Sequence, residues 1–120
     1  MNSISKPALD FAILYVSDLE ASLAYFTETL GFSRVPEEDA PTFRYLRSGK
    51  GGMDFALLQA AAQTPPAGTT ELYFATPDLK GLHAAWTSKG AEATPIMARP
   101  FGSIFSTHSP DGHPMTMMLK

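Results

Sequence analysis

Two βαβββ units, folded as an α+β domain around an open, curved mixed sheet, are what this 120-residue sequence predicts. Three observations carry that expectation. The apolar run FAILYV at residues 11–16 leads straight into an amphipathic helix pattern, SDLEASLAYFTETLGF. The same order returns in TELYFATPDLKGLHAAWTSKGA, where Asp78-Leu79 repeats Asp18-Leu19 and Trp86 repeats Phe26 at a spacing of 60 residues. Three short strand candidates follow each helix, and a fixed period of this kind has to be recognised before a fold is assigned.

FAILYV is continuous, aromatic and branched, as expected of a strand covered on both faces. Ser17 with Glu20 reads as a capping box, Leu19, Leu23, Phe26 and Leu30 share one helical face, and Gly31 ends the helix. Phe32 to Val35, Thr42 to Arg47 and Met53 to Gln59 read as strands, separated by PEEDAP and by SGKGG, a glycine-rich hairpin signal. The module spans residues 8–59. A Pro-rich connection at 60–69 then leads to a second module at 70–120, so that the whole chain, 1–120, forms one domain. There, Thr76 reads as a helix cap with Pro77 in the first turn, and Leu79, Leu82, Ala85 and Trp86 share a face before Gly90. Ala93 to Ala98, Ser103 to His108 and Pro114 to Leu119 complete the repeat.

Composition narrows the function classes. The chain is 44% hydrophobic and 18% charged, with a formal charge of −3, and lacks the clustered cations that phosphate binding requires. Nucleic acid and membrane are therefore not expected partners. Without cysteine there is neither a disulfide framework nor a thiolate nucleophile. The apolar stretch from Ala8 to Val16 contains Asp10, has no basic lead-in and is too short to span a bilayer, so a cytoplasmic protein is expected. A βαβββ unit curls its sheet into a trough, and such concave, mostly apolar surfaces are where small ligands bind.

LYVSDLEASLAYFTETLGF resembles the opening strand and helix of the vicinal-oxygen-chelate superfamily, which includes glyoxalase I, extradiol dioxygenases and bleomycin resistance proteins. PFGSIFSTHSPDGHPMTMML is similar to its closing hairpin, and together the two cover nearly the whole chain. The resemblance implies a homodimer in which partner chains complete each other's troughs. It also implies a divalent metal, which needs several oxygen or imidazole ligands converging on it. The matching positions are Phe11, seven residues before Asp18; Leu72, about six before Asp78; Thr116, four after Gly112; and Ala56 or Leu57 in the fourth strand. Of these only Thr116 offers even a hydroxyl. No metal and no cofactor are therefore expected.

HSPDGHP, residues 108–114, holds two of the three histidines. In the family this turn is structural, with Gly112 suited to a positive φ and Asp111 to bonding local amides, so His113 is expected to face solvent. His83 is expected at the edge of its helix. Asp54 and His108 are the candidate catalytic groups, and no nucleophile, base and orienting group are visible as a set. If the superfamily's ligand positions face the trough, strand alternation adds Ile13, Tyr15, Phe74 and Met118 to its lining, with Phe43, Tyr45, Asp54, Phe101 and Phe105 nearby; otherwise the opposite faces hold the cavity and these residues are core. The lining so expected is Phe11, Ile13, Tyr15, Phe43, Tyr45, Asp54, Ala56, Leu72, Phe74, Phe101, Phe105, Thr116 and Met118. The surface is aromatic and adaptable, and favours a flat or apolar organic molecule.

The leading expectation is therefore metal-independent binding of a small hydrophobic or aromatic molecule, resembling the sequestration by which bleomycin resistance proteins confer antibiotic resistance. The competing one is a glyoxalase-type lyase or isomerase, or a dioxygenase-like enzyme, using Asp54, His108 or a tyrosine with an atypical or absent metal. A third is a trough filled by its own side chains, with association as its role. PEEDAP at 36–41 and the connection at 60–69 are candidate lids.

Overall fold

The computed structural model describes residues 11–68, 70–100 and 102–120. The first module runs β1 (Phe11–Val16), α1 (Leu19–Ala24), β2 (Ser33–Arg34), β3 (Phe43–Arg47) and β4 (Asp54–Gln59). The second runs β5 (Leu72–Thr76), α2 (Leu79–Ser88), β6 (Met97–Arg99), β7 (Gly102–His108) and β8 (Pro114–Leu119). Each module builds its own four-stranded sheet, in the orders β1-β4-β3-β2 and β5-β8-β7-β6. In both, the first and last strands pair in parallel and the others antiparallel. The mixed sheet expected from the sequence is thus present as two equivalent halves. Among the described residues, no helix is long and apolar enough to cross a membrane.

Local chemistry moves several boundaries. The cap of α1 is Asp18, whose carboxylate accepts from the Ala21 amide at 3.1 Å, because Ser17 donates instead to Asp111. Likewise Asp78, and not Thr76, caps α2 by accepting from the Gly81 amide at 3.0 Å. Beyond Ala24 the first helix widens into a π turn over Tyr25–Thr29, closed by the Leu30 amide on the Tyr25 carbonyl at 3.1 Å. β6 begins at Met97, later than Ala93. Pro95 has no amide to offer a ladder, and Thr94 takes over pairing with Ser106 through both its side chain and its backbone. PEEDAP is tied to β3, since Asp39 accepts from Arg34 at 2.8 Å and from the Tyr45 amide at 3.2 Å.

Strand alternation assigns one face of each sheet to the core. Leu14, Val16, Leu46, Phe55 and Leu57 point inward in the first module, and Phe105, Met115 and Met117 in the second. The two halves meet in an aromatic seam. Phe74 packs 5.4 Å from Phe32 and 6.0 Å from Phe55, while Phe32 also meets Phe55 at 5.2 Å and Trp86 at 6.3 Å. Trp86 adds an edge contact with Phe105 at 5.9 Å, and its indole N–H donates to the Leu30 carbonyl at 3.0 Å. The radius of gyration, 15.5 Å, exceeds the roughly 13.6 Å of a closed globule of this length, in keeping with sheets that leave one face uncovered.

Trp86→Ala empties an aromatic site and orphans a buried carbonyl, so urea unfolding is expected to show a loss of about 3–5 kcal/mol. Trp86→Phe keeps a ring but loses the N–H, and is expected to cost about 1–2 kcal/mol.

Candidate functional site

The uncovered face of the first sheet follows from its register. Phe11 pairs with Asp54, Ile13 with Ala56 and Tyr15 with Leu58, while β3 sets Tyr45 against Ala56 and Phe43 against Leu58. Because paired residues point the same way, all of these share the face opposite Leu14, Phe55 and Leu57. Three rings form a wall there. Phe11 lies 5.5 Å from Tyr45 and 6.4 Å from Phe43, edge to face. A depression of about 320 Å³ opens beside them, lined by Phe11, Glu38, Phe43, Tyr45 and Arg47. Asp54 is fixed at this wall, accepting from the Tyr45 hydroxyl at 3.3 Å and from the Ser48 amide at 3.2 Å.

In the second sheet the register overturns part of the expected lining. β5 pairs Leu72 with Met115 and Phe74 with Met117, both core methionines, and β7 pairs Phe105 with Met117. Leu72 and Phe74 line a separate cavity of about 280 Å³ beside Asp54, but with Phe105 they pack on the core and do not line the open face. Their neighbours do so instead: Tyr73 stands opposite Thr116, and Ala75 opposite Met118. Ser106 and Ile104 join them from β7, with Ser106 Oγ 3.4 Å from Thr116 Oγ1. Tyr73 is 60% exposed, whereas Thr116 is only 5% exposed. Phe101 lies outside the described residues. The missed residues were legible, because carrying the 60-residue spacing through from Ile13 lands on Tyr73.

The same correspondence tests a metal at the superfamily position. Ala56 corresponds to Thr116, and Phe11 to Glu71, which replaces Leu72 as the counterpart in the second half. The donor set is then one benzyl group, one methyl group, one hydroxyl already engaged with Ser106, and one exposed carboxylate. Such a set does not fit a divalent ion. Among the described residues no group of three His, Asp or Glu converges to hold one.

The two candidate catalytic groups are not brought together. Asp54 belongs to the first sheet, while His108 sits at the end of β7 beside a separate shallow depression with Glu92, Thr94 and Ser106. Its Nε2 lies 3.4 Å from the Glu92 carboxylate and its Nδ1 3.0 Å from the Ser109 carbonyl. Nearby, Tyr25 donates to the His108 carbonyl at 3.1 Å, and burial raises the phenol's pKa against a hydrogen bond with Thr107 that lowers it. His83, half-buried, bonds the Thr94 carbonyl at 2.9 Å and meets the Phe105 ring edge to face.

His113 corrects the reading of the turn, for it is 0% exposed. Its Nδ1 bonds Ser109 Oγ, and its Nε2 accepts from the Gly68 amide at 3.2 Å. Asp111 bonds across the chain instead of locally, taking both the Ser17 amide, at 2.9 Å, and the Ser17 hydroxyl. The hairpin is thereby clamped to the end of β1 and to the connection between modules. Gly68 is required there: at φ +84° a Cβ would stand 2.4 Å from the Asp111 carbonyl oxygen. Gly112, at φ 88°, makes the left-handed turn expected of it. Ser109 and His113 form a serine–histidine pair, but both are buried and serve the clamp.

Paired βαβββ modules with one face of each sheet left uncovered define the class of protein. The family model described as Glyoxalase/Bleomycin resistance protein/Dioxygenase superfamily matches residues 8–116, and the chain belongs to that superfamily. Solved structures agree in fold. TnmS3, an antibiotic binding protein from Streptomyces sp. CB03234, is 22% identical with a TM-score of 0.82, each chain covered to 98%. The bleomycin-binding protein from bleomycin-producing Streptomyces verticillus, complexed with copper(II)-bleomycin, is 21% identical with a TM-score of 0.78, over 98% of this chain and 99% of that one. A superfamily member from Sphaerobacter thermophilus DSM 20745 is 21% identical with a TM-score of 0.80, over 96% and 98%. No curated protein sequence matches the chain.

The clamp makes stability depend on pH. Burial holds the His113 imidazole below its ordinary pKa of 6.5, against the opposing influence of the Tyr15 carbonyl and the Asp111 carboxylate. Below that ordinary value the unfolded chain takes up a proton that the folded chain resists, so this contribution is complete above it and lost as pH falls beneath it. Urea midpoints taken from about pH 8 down to about pH 5 should decline in that lower range. His113→Gln should show a smaller decline, together with a loss of about 1–3 kcal/mol at about pH 8 from the disrupted bonds.

Proposed function

We propose that the protein binds a small hydrophobic or aromatic molecule against the uncovered sheet faces, without a metal, and holds it unchanged. The observation that carries this reading is the wall of Phe11, Phe43 and Tyr45 beside an open depression, on a face where the superfamily's ligand positions carry hydrocarbon. Flat apolar molecules gain most from such a surface, by burial and by offset or edge contacts with its rings. Two of the structural relatives are described as binding an antibiotic and bleomycin, which supports sequestration of a toxic compound as the role. The separation of Asp54 from His108 supports binding over turnover. A symmetric dimer is part of the proposal, since Phe11 and Tyr73 leave large apolar surface exposed at each open face.

Thermal denaturation across a panel of aromatic compounds tests the reading. A binder at a ligand concentration of 100 times Kd gains about 2.7 kcal/mol by linkage. The expected result is saturable stabilisation, ligand recovered unaltered, and substoichiometric metal in protein purified without chelator. Phe11→Ala and Tyr45→Ala should each weaken binding by about tenfold, equivalent to 1.4 kcal/mol, with little effect on unfolding. Conversion of the ligand, or a full equivalent of tightly held divalent metal, would overturn the proposal.

A further inference from the structure

We infer that the ligand of the first module's open face is a planar aromatic monoanion, with its carboxylate or phenolate read by Arg47. This rests on the binding reading above and names the ligand class for the same face. Alternation along β3 places Phe43, Tyr45 and Arg47 on one side, and all three line the depression of about 320 Å³ with Phe11 and Glu38. Arg47 therefore stands at the margin of an aromatic wall, between this depression and a second one that it lines with Gly31 and Ser33.

The two arginines that precede it are engaged differently. Arg44, on the opposite face of the same strand, donates to Glu20 at 2.7 Å and lies 3.9 Å from Asp39, and Arg34 holds Asp39 at 2.8 Å. Among the described residues Arg47 has no carboxylate within 4.0 Å. Asp54, the acid nearest in register on this face, has both oxygens committed to Tyr45 and Ser48. An arginine left unpaired beside flat rings offers two parallel N–H donors to a planar anion while the rings take its apolar body.

The same depression limits the charge. Glu38 contributes to its lining, and the chain carries a net −3, so a second negative charge on the ligand meets repulsion that one guanidinium does not offset. A carboxylate or phenolate fits these conditions better than a phosphate monoester.

Calorimetric titration with naphthoate, its neutral amide naphthamide and naphthyl phosphate tests the inference. The expected result is naphthoate binding about tenfold tighter than naphthamide and at least as tightly as naphthyl phosphate. Arg47→Met should erase the preference for acid over amide, and Arg47→Lys should keep part of it. Arg47 is exposed and lies outside the core, so both variants should match the parent in urea midpoint. Equal affinity for acid and amide, or a preference that survives Arg47→Met, would overturn the assignment to Arg47 while leaving aromatic binding standing. Tighter binding of the phosphate would overturn the monoanion. Failure of all three compounds to bind would overturn both readings.

Discussion

The seam between the modules is the constraint from which the rest of the structure follows. Trp86 can bury its ring against Phe32 and Phe105 only if its N–H finds an acceptor, and the end of the first helix supplies one. The last carbonyls of a helix have no partner within it. The Leu30 carbonyl, just past the π turn, is such a group, and the indole satisfies it at 3.0 Å. With Trp86 so placed, Phe74 fills the space between Phe32 and Phe55. That choice fixes the face of β5, and β5 fixes β8 and β7 through the ladder. Tyr73, Thr116, Ser106 and Met118 are turned outward because Phe74, Met117 and Phe105 are turned in.

The two open faces that result are chemically unequal. The first carries a ring wall, a bound carboxylate and a guanidinium. The second carries two aliphatic hydroxyls, Ser106 and Thr116, among Ile104, Met118 and the exposed phenol Tyr73. Methionine conforms to a surface, whereas edge-to-face rings present a fixed one. A face of the first kind selects shape and charge, while a face of the second kind supplies adaptable contact. If partner chains complete a trough from one face of each kind, the ligand meets a rigid wall on one side and a compliant one on the other.

Much of this was legible in the chain. The element order, the repeat, the hairpin glycines and the aromatic face of the first sheet follow from alternation and spacing alone. β5 was legible in place but not in face, and the physical reason lies in LYFAT itself. Leu72, Tyr73, Phe74 and Ala75 are all apolar or aromatic, so period-two alternation cannot say which pair is buried. Pairing with Met115 and Met117 decides it, and that information is not local. The caps show another limit. Ser17 followed by Glu20 satisfies a capping-box pattern, but Asp18 is an equally good cap, and Ser17 is recruited by Asp111 from the far end of the sequence. His113 was missed for the same reason: a histidine beside a glycine turn looks solvated until Gly68 and Ser109 close over it.

The interactions that hold the fold lie away from the surface proposed to bind. Phe11, Phe43, Tyr45 and Arg47 are absent from the core cluster, whereas the seam and the hairpin clamp use Phe74, Trp86, Asp111 and His113. A side chain outside the core contributes little to folding free energy, so substitutions on the open face are only weakly constrained by stability. A protein only 22% identical shares this backbone at a TM-score of 0.82. In the proposed binding role, ligand choice is left to the outward set. By that logic the family match and the fold place the chain in its superfamily, whereas the proposed ligand class rests on a few outward residues, among which Arg47 and its aromatic neighbours carry the most chemical information.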